Sequence, residues 1–153
     1  MTTPSVVPTQ YSGTYLDFLK AKCDRDGCVR LVQGTVSVPS GTAADAYVGL
    51  VPFNKGARFH ITDKSIHCGD FGAGTTTVNV GYVYDDNVTY TNDVDAWASL
   101  SNAAQSGGFV TPDEKEGMNF VAEANGWLTV QLKTAAADAT ASITFQVGVA
   151  YDS

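Results

Sequence analysis

Three cysteines and two histidines are the residues of this sequence best suited to hold a metal or carry a reaction. Cys23 and Cys28 enclose Asp24-Arg25-Asp26-Gly27, and His67-Cys68 offers further donors, so a Cys3His zinc set is one reading of the spacing. The other reading is a polar Asp-Gly turn flanked by two thiols, with Cys68 a small buried residue continuing the face of Ile66. A Cys23–Cys28 disulfide fits the span of such a turn and needs an oxidising compartment to form. Asp85, Asp86, Asn87, Asn92, Asp93 and Asp95 would supply oxygen ligands for calcium, yet they lack the glycine and bidentate glutamate of a helix-loop-helix calcium loop. Turns and helix caps use the same residue types, and that is the plainer role. The expectation is a chain with neither metal nor cofactor.

His60 and His67 stand seven positions apart, which puts them on opposite faces of an unbroken strand. Each alternates with apolar neighbours, as a solvent-facing sheet residue does. The sequence holds no GxSxG elbow, HExxH motif or paired-glutamate constellation. Gly72-Ala73-Gly74 leads into a strand and so lacks the helix N-terminus that would hold a phosphate. Trp97 and Trp127 do not by themselves make a sugar-stacking platform, and Trp97, spaced helically from Leu100, belongs in a core. These residues point away from an enzyme.

The framework that would hold these side chains is mostly strands. Val, Thr, Ala and Gly dominate, and the usual helix builders are few. Ser142 to Asp152 alternates Ile143, Phe145, Val147, Val149 and Tyr151 with polar or small residues, and Thr77 to Tyr84 puts Val78, Val80, Tyr82 and Tyr84 on one face. Between Ala57 and Cys68 the apolar parity changes across Thr62-Asp63-Lys64-Ser65, which predicts a bulge or short turn. Val29 to Val38 and Tyr47 to Phe53 are further strands. Asn125-Gly126, ahead of the alternating Leu128, Val130 and Leu132, predicts a hairpin over residues 117–134. Asp93 to Ala104, with an aspartate cap, Trp97 and Leu100 on one side and Gly107-Gly108 beyond, predicts the one short helix. Together these describe an all-β chain, an antiparallel β-sandwich of jelly-roll type with one short helix. Residues 1–22 read as an extended N-terminal arm and 23–153 as the sandwich domain, although Tyr11 to Lys22 suits neither strand nor helix period cleanly.

A chain of 153 residues with 44% apolar and 16% charged residues fits one globular domain. No run reaches the length of a membrane helix, and Met1 to Gln10 has no signal-peptide pattern, so the expectation is a soluble protein made in a cytoplasm. The net charge of −7 repels phosphate backbones, and the local basic excess at Lys20, Lys22, Arg25 and Arg30 is interrupted by Asp17, Asp24 and Asp26, which argues against nucleic acid as a partner.

The order of phrases Gly34-Thr35-Val36-Ser37-Val38-Pro39-Ser40-Gly41, Asp45-Ala46-Tyr47-Val48-Gly49-Leu50-Val51-Pro52-Phe53 and Lys55-Gly56-Ala57-Arg58-Phe59, continued through Asp70 to Tyr82, Asp93 to Trp97 and Ile143 to Tyr151, resembles the capsid decoration, or cement, proteins of tailed bacteriophages. The likeness runs over about residues 29 to 153 and is an order of strand-like phrases, not a catalytic signature. It implies a β-sandwich on the outside of the virion head, commonly a trimer, bound to the major capsid protein at subunit junctions after assembly in the host cytoplasm. The arm would add a strand to a neighbouring sheet edge, with Val6, Val7, Pro8, Tyr11 and Tyr15 as its contact residues. Tyr11 and Tyr15 equally suit covering the domain's own core. The alternatives are a receptor- or glycan-binding knob of a fibre or tail and a neck or portal adaptor.

Overall fold

Period-two alternation folds as strands throughout. The computed structural model describes Pro4, Val6 and residues 29–72 and 74–151. Of the expected arm contacts, Val6 is described, whereas Val7, Pro8, Tyr11 and Tyr15 lie outside the described residues, as do Cys23 and Cys28. Among the described residues the strands are β1 (Arg30–Val38), β2 (Tyr47–Phe53), β3 (Ala57–His60), β4 (Ile66–Cys68), β5 (Thr77–Tyr84), β6 (Asp93–Ser101), β7 (Gly108–Phe109), β8 (Gly126–Lys133) and β9 (Ala141–Tyr151), with one α-helical turn, α1 (Ala103–Ser106), and a 3-10 turn over Glu116–Asn119.

Two antiparallel sheets form an all-β sandwich. One has the order β2-β8-β5-β6. In the other, β9 pairs with β1 along one edge and with β4 and β3, end to end, along the other, and β7 lies outside β4. Val36, Val38, Leu50, Phe53, Phe71, Leu128, Leu132, Ile143 and Phe145 fill the space between the sheets. On β9 the inward Ile143, Phe145 and Val147 alternate with the outward Ser142, Thr144 and Gln146, which pair with Ser37, Thr35 and Gln33 of β1. The parity change between Ala57 and Cys68 is a turn in which Ser65 N–H donates to Thr62 O at 3.2 Å and Thr62 N–H to Ser65 Oγ at 2.9 Å. Cys68 follows Ile66 into the core, where burial pushes its thiol up to about 12.

Two expectations are corrected. Asp93 to Ala104 is not a helix: it is strand β6 followed by the single turn α1. Its register against β5 runs Tyr82↔Asp93, Val80↔Ala98 and Val78↔Ser101, so two irregularities insert extra residues into β6. Bulges break period-two alternation, and Leu100, at the second of them, takes φ 52°, so Trp97 and Leu100 come out at a spacing that imitates a helix. Trp97 is nonetheless core, 3% exposed. Residues 117–134 are not a hairpin either, because β8 pairs with β2 and β5 and the segment before it holds a 3-10 turn over Glu116–Asn119. Gly117, Phe120 and Ala122 are buried there, with Ala122 bonded to the Gly56-Ala57 backbone at 2.7 and 2.9 Å. The segment packs side chains into the end of the sandwich instead of alternating them, so it has no second ladder to offer.

Candidate functional site

The outer edge of β2 carries Val6, with Pro4 close by. Gly49 N–H donates to Val6 O at 2.7 Å, and Val6 forms a parallel bridge with Val48. Pro4 is buried beside it, and Gly49 is what admits it: a β-carbon there would lie 2.9 Å from Pro4 Cβ and Cγ and 2.7 Å from the Trp127 ring. Edge strands present unpaired backbone groups, and Val6 engages one of them on β2. Gly49→Ala is expected to displace Pro4 and Val6, since among the described residues one bridge, Val6 to Val48, holds them, whereas Trp127 is anchored in β8. Hydrogen exchange reads this directly: the Gly49 amide should exchange about tenfold faster or more, with the β8 amides unchanged. Unaltered Gly49 protection would show that the contact is not made.

At the far end of the same sheet, rows of aromatic rings run out of the core into a cleft. Phe53, Gly126 and Tyr84 form one cross-strand row, and the missing side chain of Gly126 lets the rings on the flanking strands meet with centroids 6.0 Å apart. Tyr82 lies against Phe120 at 4.2 Å and 32°, Tyr84 edge-on to Tyr82 at 5.3 Å, and Tyr90 against Tyr84 at 5.4 Å. Outside these rings is a cleft of about 560 Å³ whose lining includes Thr91, Asp93, Glu116, Asn119 and Glu123. Tyr84 Oη accepts the Glu123 N–H at 3.2 Å and so fixes the 116–123 segment over β5. Burial, then the neighbouring Tyr84, Asp93 and Glu123, pushes the Tyr82 phenol up to about 12. Asp93 is also raised, first by burial and then by Asp95 and Glu116. Sequence reading missed this cleft. The signal was present in Tyr82-x-Tyr84, Tyr90 and the nearby aspartates, but Glu116, Asn119 and Glu123 join it only through the fold.

The acidic run from Asp85 to Asp95 makes turns, the plainer of its two roles. Asp86 Oδ1 accepts the Val88 and Thr89 N–H groups, both at 3.2 Å, and the Thr89 side chain, then these N–H groups, hold the Asp86 carboxyl below its ordinary pKa. Asn92 Oδ1 accepts the Tyr84 N–H at 2.8 Å, and Asp93 Oδ1 the Asp95 N–H at 3.4 Å. Among the described residues, no three His, Cys, Asp or Glu side chains group as metal ligands. The turn at 62–65 gives His60 and His67 the same outward face, where they oppose Gly148 and Thr144 of β9. Four residues of strand separate those positions by roughly 13 Å, too far for a shared proton or ion. His67 packs edge-on to Phe109 at 4.9 Å, with Lys64 Nζ 4.7 Å from the same ring, beside a shallow depression of about 720 Å³ floored by Thr35, Thr144 and Gln146. Trp127 is buried, as is Trp97, so neither offers an open face. No helix among the described residues is long and apolar enough to cross a membrane.

No family model matches the chain, and no curated protein matches its sequence. Solved structures do match. A chain from the capsid of Ralstonia phage GP4 superposes with a TM-score of 0.58 at 18% identity, over 85% of this chain and 88% of that one. This is a fold found in a phage capsid. A second capsid chain, from the asymmetric unit of the cyanophage Pam1 capsid, matches with a TM-score of 0.55 at 20% identity, over 87% of this chain and 95% of its own. Both capsid chains are thus matched over most of their lengths, so the likeness is one of overall fold and not of a local motif.

Proposed function

We propose that this protein is a structural component of a bacteriophage virion: a decoration, or cement, protein that binds the outside of the head and ties neighbouring major capsid protein subunits together. The observation that carries the reading is the match in fold to two capsid chains over 85% and 87% of this chain. The strand order supports it further. With β3 and β4 taken as one interrupted strand, β1-β9-β4-β7 over β2-β8-β5-β6 is the pairing of a jelly roll, a fold common in viral shells. The net charge of −7 suits a partner surface and not the packaged genome.

The mechanism is multivalent clamping. Each copy of a trimer contributes modest contacts, and linking them raises overall affinity by about a hundredfold to ten-thousandfold. The arm, through Val6, Val7, Pro8, Tyr11 and Tyr15, adds main-chain hydrogen bonds at a sheet edge, as Val6 does on β2 of its own chain. A copy that binds only the assembled shell stabilises it by mass action, by about 2.7 kcal/mol at a hundredfold excess over Kd.

The test compares particles with and without the protein. Particles with it should carry hundreds of ordered copies at capsomer junctions and should withstand higher temperature and more dilute buffer before releasing their genome. A dozen copies at one vertex, saturable binding to host cells by the isolated protein, or equal resistance of both particles would overturn the reading.

A further inference from the structure

We propose that the tyrosine cleft beside β5 and β6 is a receptor for an arginine side chain presented by a partner protein; naming that partner as a capsid subunit rests on the function proposed above. The cleft has the volume of a ligand site, about 560 Å³, and its floor is the ring assembly of Tyr82, Tyr84, Tyr90 and Phe120. Around this floor stand Asp93, Glu116 and Glu123, and no Lys, Arg or His is among the lining residues. The asymmetry extends beyond the cleft. Residues 85–123 contain eight of the sixteen Asp and Glu of the chain and a single cation, Lys115. The raised Asp93 carboxyl and Tyr82 phenol report the same thing, negative groups gathered in a partly buried space that no cation lines among the described residues.

The ring geometry selects the class of ligand. A sugar stacks on an open aromatic face, but here Tyr82 and Phe120 lie against each other at 4.2 Å with their planes tilted by 32°, and Tyr84 and Phe120 are 3% and 7% exposed. The rings form a wall and leave carboxylates, an amide and hydroxyls to make the directional bonds. A guanidinium matches that wall: its planar fork binds a carboxylate through two parallel hydrogen bonds, and its flat, weakly hydrated surface tolerates aromatic neighbours. An ammonium would gain the charge attraction without the fork. Charge complementarity thus favours a basic loop as occupant over a neutral glycan or an apolar helix.

The purified chain is titrated with N-acetyl-arginine amide while the ring signals of Tyr82, Tyr90 and Phe120 are followed by NMR. Saturable shifts confined to these rings are expected, at least threefold weaker for the lysine analogue and absent for the uncharged, isosteric citrulline amide. Asp93→Asn together with Glu116→Gln, which keeps an acceptor oxygen at each position, should weaken arginine binding tenfold or more. Citrulline binding as well as arginine, a methyl glycoside shifting the same rings in its place, or no shift with any probe would overturn the inference. The citrulline comparison uses the unaltered chain and holds even where the double variant fails to fold. Shells lacking the protein then separate the two proposals. If the unaltered chain and the double variant bind shells equally, the cleft inference fails and the virion reading stands. If the unaltered chain ignores shells but binds arginine amide in the cleft, the virion reading fails and the cleft stands.

Discussion

Phe53→Ala is expected to lower the unfolding free energy by about 3–5 kcal/mol, the cost of deleting a fully buried aromatic side chain from a core that relaxes only in part. Phe53 is 1% exposed and lies edge-on to Phe59 at 5.6 Å, Tyr84 at 6.0 Å and Phe120 at 5.6 Å. It therefore touches three other rings, one from each of β3, β5 and the 116–123 segment. Its loss leaves a void that Gly126, directly across on β8, has no side chain to fill. Against a total stability of about 5–15 kcal/mol, that is a large fraction. For a domain of this size the thermal midpoint should fall by roughly 6–20 °C. Thermal and urea unfolding, followed by tryptophan fluorescence, give the value, and a loss below about 1 kcal/mol would show that the ring cluster does not hold the two sheets together.

Gly81→Ala is expected to cost about 1–3 kcal/mol or more, although it adds only one methyl group. A β-carbon at Gly81 would lie 2.2 Å from both Asp93 O and Val94 C. These are backbone atoms in the bulged part of β6, so no side-chain rotation relieves the overlap, and β6 must move away from β5. That movement carries Asp93 with it and should impair the cleft along with the fold. Gly108→Ala is the matched control, because nothing lies within 4 Å of a β-carbon there, and its effect should stay within about 0.5 kcal/mol. Equal effects of the two substitutions on urea midpoints would refute the close approach of β6 to Gly81.

The same bulges explain why β6 was the element least legible in the sequence. Where a strand pairs regularly, as β9 does with β1 over nine consecutive partners, alternation is visible along the chain and the faces follow from it. Where extra residues are inserted, each one reverses the parity of the residues after it, and a strand such as Asp93–Ser101 takes on the spacing of a helix. The Asn125-Gly126 signal misled for a different reason. Gly126 is small because it sits under Phe53 and against Val83 O, and Asn125 Oδ1 accepts the Lys55 N–H at 3.4 Å, so neither residue closes a hairpin. A glycine admitting close contact and a glycine turning the chain are the same letter.

The all-β class, most strand positions, the inward face of each regular strand, the break at Thr62–Ser65 and the acidic charge are legible along the chain, because all of these are local or additive properties. Which strands are neighbours, which residues share the tyrosine cleft, and which edge of β2 receives Val6 were decided only in the tertiary structure. Tyr82, Asp93, Glu116 and Glu123 are spread over some forty positions. They meet because burial of the apolar faces drives two sheets together and the 116–123 segment across their open end. No periodicity encodes that meeting, since the free energy that selects it belongs to the assembled core and not to any one segment of it.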